Sequence, residues 1–94
     1  MKQYEIMNIY KIELAEQGAK ELSGKVCEMI EEAGGKGTSA NFWGKRKFAY
    51  EIKNQREGFY DVINFDMEPA KLKKFESKLK LINGVLRYLI TAQS

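Results

Sequence analysis

Between Lys2 and Lys11 apolar side chains fall in both phases of a period-two pattern, with Tyr4, Ile6 and Tyr10 in one and Met7 and Ile9 in the other. That predicts a central strand partly covered on both sides. From Glu13 to Ala33 the period lengthens. Leu22, Val26, Met29, Ile30 and Ala33 share one helical face, Glu21, Lys25, Glu28 and Glu32 lie opposite, and Gly34-Gly35 supplies a helix stop. Gly37 to about Ile52 reads as a strand out of step with itself: Phe48, Tyr50 and Ile52 share one face, and Trp43 falls in the other phase. One extra residue near Gly44 brings the halves into line, which predicts a β-bulge there and turns Lys45, Arg46 and Lys47 outward. Asn54 to Glu57 with Gly58 reads as a polar hairpin loop, and Gly58 to Met67 returns as a strand with Phe59, Ile63, Phe65 and Met67 in phase. Pro69 opens a second helix carrying Leu72, Phe75, Leu79 and Ile82, and Asn83-Gly84 closes it. Val85 to Ala92 is a last strand, with Leu86, Tyr88, Ile90 and Ala92 on one side and Arg87 on the other.

The order βαββαβ, with right-handed crossovers, predicts an α+β fold of the ferredoxin-like type. Its four-stranded antiparallel sheet has the order 4-1-3-2, with two helices on one face and none on the other. A length of 94 residues fits one domain, 1–94.

Composition narrows the chemistry. Histidine is absent and there is one cysteine, so Cys/His zinc sites, disulfide frameworks, Cys-His dyads and Ser-His-Asp triads are unavailable within the chain. No enzymatic activity, metal or other cofactor is expected. No apolar run approaches the ~18 residues of a membrane span, and Glu5 and Asn8 interrupt the opening residues where a signal peptide is apolar. A cytosolic protein is expected. The net charge of +3 hides an asymmetry: residues 1–44 hold five Lys against seven Glu, and residues 45–94 hold eleven Lys/Arg against six Asp/Glu. A polyanion approaching one side of the molecule is implied.

Three candidates yield to plainer readings. Gly34-Gly35-Lys36-Gly37-Thr38 lacks the Lys-Ser/Thr step of a phosphate loop and follows a helix, whose negative end repels anions. Cys27 on the first helix reads as a small buried hydrophobe. Asp61, in phase with Phe59 and Ile63, reads as a partly buried carboxylate at an edge or paired with a Lys or a Tyr hydroxyl. The sharper signal is Trp43-Gly44-Lys45-Arg46-Lys47-Phe48-Ala49-Tyr50-Glu51-Ile52-Lys53, with Arg56 beyond it: cations that neutralise phosphates, interleaved with aromatics that stack on unpaired bases. The same pattern would serve a plain charged edge that blocks strand-to-strand aggregation. Glu57-Gly58-Phe59-Tyr60-Asp61-Val62-Ile63-Asn64 only half matches the signature strand of RNA-recognition motifs, because Asp61 and Asn64 stand where aromatics belong, so stacking in that mode is not expected.

Over nearly its whole length the chain resembles the ribosomal protein S six family of the bacterial small subunit. The resemblance is carried by the Tyr4-Glu5 opening, the glycine-ended first helix, the Trp43–Lys53 run, Arg56-Glu57-Gly58 and Asn83-Gly84-Val85-Leu86-Arg87-Tyr88. Phe48 replaces the family's usual Leu, Glu51 its Pro, and Lys2 its Arg, the last keeping the charge without the bidentate geometry. The resemblance implies a structural protein that binds the central domain of small-subunit rRNA as a heterodimer with ribosomal protein S eighteen. Lys2, Lys45, Arg46, Lys47, Lys53, Arg56 and Arg87 would contact rRNA phosphates, and Trp43 and Tyr50 would stack or meet the partner. A competing reading on the same fold is a homodimeric ligand-sensing domain that pairs through its open sheet face. An acylphosphatase-like site is disfavoured, since Lys11-Ile12-Glu13-Leu14 puts a carboxylate where anion binding is needed.

Overall fold

In the computed structural model, which describes residues 1–93, β1 (Lys2–Lys11) is followed by a short 3-10 turn at Ile12–Leu14 and by α1 (Ala15–Glu32). β2 (Lys36–Ile52) and β3 (Gln55–Met67) form a long hairpin, and α2 (Pro69–Leu79) leads to β4 (Val85–Gln93). The strands make one sheet in the order β2-β3-β1-β4, every pairing antiparallel, which is the expected order read from the other edge.

The helix side carries the main core. Tyr4, Ile6, Ile63, Phe65 and Met67 from the central strands meet Val26 and Ile30 of α1 and Phe75 and Leu79 of α2. Burying each such side chain contributes about 1.5–3 kcal/mol, and Phe65 links two aromatic contacts, stacked on Tyr4 at 5.7 Å and edge-on to Phe75 at 6.0 Å. The buried stripe of α1 runs through Ala19, Ser23, Val26 and Ile30. Leu22, Met29 and Ala33 flank it rather than centre it.

Three boundaries differ from the sequence expectation. The first helix does not start smoothly at Glu13. A 3-10 turn precedes it, and Ala15, the first residue of α1, adopts φ 59°, ψ 171°, a conformation nearly reserved for glycine. The hairpin turn is only Lys53-Asn54, both at positive φ (49° and 67°) and flanked by the pair Ile52 and Gln55. This is the two-residue geometry that matches strand twist, so Gln55 to Glu57 are strand rather than loop. Finally, α2 ends at Leu79, short of Asn83-Gly84: backbone amides of Leu81 and Ile82 bond the carbonyls of Lys78 and Leu79, tightening the chain into a turn.

The predicted bulge is present. Phe42 pairs with Asp61 and Gly44 with Tyr60, leaving Trp43 as the extra residue, and Gly44 takes φ 91°. A second irregularity, between Lys47 and Ile52, bends the hairpin over the sheet's helix-free face. There Phe48 reaches over Gly58, where a Cβ would meet its ring at 3.0 Å and the Tyr10 carbonyl at 2.8 Å. Ile52 shares a concavity with Met7, Ile9, Tyr60 and Leu89. This face is therefore partly roofed by the chain's own hairpin, and Ile9 and Val62, which point to it, are buried.

Candidate nucleic-acid interface

The bulge sets the geometry of the aromatic group. Because Phe59, Ile63 and Phe65 face the helices, the alternation of β3 turns Tyr60 to the other face. The extra residue in β2 puts Trp43 there too, its ring nearly parallel to that of Tyr60 (7°) with centroids 6.5 Å apart, and Phe48 leans on Tyr60 at 6.1 Å. Trp43 stays 43% exposed, so one side of a preformed stack is open. Tyr50 is 80% exposed. Tyr60, the ring on which Trp43 and Phe48 both rest, was not singled out from the sequence. The signal was its phase, opposite to the apolar set of its own strand.

Lys45, Arg46 and Lys47 follow the bulge directly and are exposed, opposite Phe59, Gly58 and Glu57. The Arg46 Nη1 donates to the Lys45 carbonyl at 2.9 Å, which holds the guanidinium back along the strand. Among the described residues, ion pairs within 4.0 Å involve none of these three cations, and the acid facing the run across the ladder is Glu57, opposite Lys47. Arg56 is different: its Nε lies 3.4 Å from Glu51 Oε1, though so exposed a pair is weak and readily exchanged for a phosphate.

Lys53 occupies the hairpin turn and Arg87 lies on β4 opposite Ile9, and the bend of the hairpin lets both line one concavity. Lys2 stands apart. It pairs with Met67, whereas Arg46 pairs with Gly58, so at ~3.3 Å per strand residue it sits about 30 Å along the sheet from the hairpin cluster. The structure thus gathers the predicted cations of β2, the turn, β3 and β4 around the hairpin and leaves Lys2 at the other end.

Asp61 faces the helices and is fully buried, accepting a 2.6 Å hydrogen bond from the Tyr10 hydroxyl. The strand is central, not an edge. Stacking in the RNA-recognition-motif mode fails for a more basic reason than the carboxylate: Phe59 and Asp61 both point into the core. Cys27 is half-buried, and burial, with help from the charges of Asp61 and Glu31, raises its thiol pKa, which makes it a poor nucleophile. Among the described residues, no group of three His, Cys, Asp or Glu side chains able to hold a metal occurs and no helix is long and apolar enough to cross a membrane.

The family model described as Ribosomal protein S6 matches residues 3–92. The chain belongs to the ribosomal protein S6 family. Small ribosomal subunit protein bS6 of Symbiobacterium thermophilum is 43% identical over 96% of this chain and 95% of its own length. That of Dictyoglomus turgidum is 41% identical over 97% and 94%. The crystal structure of 30S ribosomal protein S6 from Thermotoga maritima superposes with a TM-score of 0.91 at 32% identity, over 98% of this chain and 87% of that one. An Arabidopsis thaliana protein at 9% identity, with a TM-score of 0.64, shares the fold alone. Membership of the S6 family makes this a structural ribosomal protein and not an enzyme.

Proposed function

We propose that this S6 family protein is built into the small ribosomal subunit, where it binds the central domain of small-subunit rRNA together with ribosomal protein S eighteen. The observation that carries the reading is the exposed ridge Lys45-Arg46-Lys47, without an ion pair within 4.0 Å among the described residues, set directly beside the half-open Trp43–Tyr60 stack. Lys53, Arg56 and Arg87 add cations around the hairpin beyond the ridge, and Lys2 makes a separate contact at the far end of β1. These cations are assigned to positioning the RNA backbone, as exposed Lys and Arg side chains commonly do, while RNA shape and the partner protein supply specificity. Trp43 and Tyr50 add stacking or partner contact.

Filter binding of an rRNA central-domain transcript, with S eighteen present, tests the reading. Neutralising about five phosphates gives a log–log salt slope of roughly −3.5 to −4.5. Replacing Lys45, Arg46 and Lys47 together by Gln flattens that slope and leaves the thermal unfolding midpoint within a few degrees. An unchanged slope would move the RNA to another surface. Native mass measurement separates the competing class: a monomer that gains mass only with its ribosomal partners supports the ribosomal reading, and a stable homodimer supports ligand sensing.

A further inference from the structure

We propose that Lys80, together with Lys53 and Arg87, forms a seat for one phosphodiester group of the bound RNA, distinct from the Lys45–Lys47 ridge. The proposal rests on the RNA-binding reading and deepens it. The three residues come from three separate places in the chain: the β2–β3 turn, the C-terminal cap of α2 and the edge strand β4. The bent hairpin brings the first of them across to the other two. They line a single concavity of about 230 Å³, completed by Leu79, Val85, Leu86 and Tyr88, with no carboxylate in its wall.

The arrangement is electrostatically incomplete by itself. Three cations sharing one hollow repel one another, and among the described residues none of them has an ion-pair partner within 4.0 Å. The closest acid in sequence to Lys80, Glu76, is turned to the Tyr88 hydroxyl, which donates to it at 2.7 Å, and makes no ion pair with Lys80 within 4.0 Å. The plain account of Lys80, a cation placed at a helix C-terminus to meet the dipole, covers that residue alone. It leaves unexplained why a turn lysine and a strand arginine converge on it. The carbonyl end of α2 would oppose an anion, but the amides of Lys80, Leu81 and Ile82 already bond the carbonyls of Glu76, Lys78 and Leu79, so that end is largely satisfied. Three full positive charges outweigh what remains. An anion with several acceptor oxygens relieves the repulsion, and Arg87 can grip it bidentately.

The test compares wild-type protein with Lys80→Gln and Arg87→Gln, using Lys78→Gln as a control one step back on the same helix end. Each full-length chain is titrated against the rRNA central-domain transcript over a salt series, with S eighteen present, and separately with inorganic phosphate at constant ionic strength while backbone amide NMR shifts are recorded. Lys80→Gln is expected to make the log–log slope shallower by about 0.7–0.9, the loss of one phosphate contact. Arg87→Gln should do likewise, and Lys78→Gln should leave the slope unchanged. Shifts at Lys53, Lys80 and Arg87 on adding phosphate support the same seat. A wild-type slope retained by Lys80→Gln overturns the proposal, and if phosphate shifts persist alongside it, the seat serves free phosphate instead. Absence of salt-dependent RNA binding by the wild-type protein would instead remove the RNA-binding reading itself.

Discussion

The Tyr10 hydroxyl donates a 2.6 Å hydrogen bond to the Asp61 carboxylate in the interior of the sandwich, and both residues are fully buried. Asn8, which faces Asp61 across the β1–β3 ladder, donates its amide to the same hydroxyl at 3.3 Å. Among the described residues, neither Asp61 Oδ1 nor Asn8 Oδ1 has a hydrogen-bond partner. The Tyr10 bond is therefore the chief compensation for a carboxylate held away from water.

Replacing Tyr10 by Phe keeps the ring and removes that donor. Stability should fall by about 1–3 kcal/mol, read from urea unfolding at neutral pH. A variant within 0.5 kcal/mol of wild type, about the noise of a surface substitution, would mean that Asp61 finds another donor.

Alkaline pH should weaken the fold through two hydroxyls. Burial, then the hydrogen bond to Asp61 and its charge, pushes the Tyr10 pKa far above the ordinary tyrosine range. Burial, then the bond to Glu76, pushes Tyr88 up to about 12. Folded values lie above the unfolded value near 10, so this stabilisation is complete below about pH 10 and is lost as pH climbs toward the folded values. Tyr88→Phe should flatten the decline between pH 10 and 12 in thermal unfolding; an identical decline would show that Tyr88 does not contribute.

Gly44 at φ 91° is where the bulge closes. Gly44→Val should cost about 1–2 kcal/mol, because a β-branched residue resists positive φ, and should disturb the stack of Trp43 on Tyr60. Trp43 is the sole tryptophan, so its emission spectrum reports the stack directly. A destabilised protein with unaltered emission would separate the bulge from the stack.

Ala15 offers the opposite test. At φ 59°, ψ 171° it occupies backbone space that strains any residue with a Cβ. Ala15→Gly should raise stability by about 1 kcal/mol despite glycine's poorer helix propensity, since the position precedes the regular turns. A lower unfolding midpoint would show that lost helix propensity outweighs the relief of strain at this first helical position.

The elements and their order were legible because each carries its own period. The bulge was legible because Trp43 falls out of step with Phe48 and Ile52. The misread boundaries have a common cause: Lys53-Asn54, Ala15 and the end of α2 are fixed by backbone conformations that tertiary contacts impose on residues with no strong local preference. The cationic run could be read directly, residue after residue. What could not be read was its three-dimensional company. Lys2 belongs to the same sheet yet lies remote from the ridge, and Lys80 looks like an ordinary helix-end lysine until the hairpin bends toward it.

The β2-β3-β1-β4 order divides labour across the sheet. The two inner strands hold Tyr4, Ile6, Tyr10, Ile63 and Phe65 and leave little room for variation. Most of the residues proposed to contact RNA sit on the margins, in β2, its turn and β4. Substitutions on the borders of the sheet can therefore change its surface charge without disturbing the centre that lets it fold.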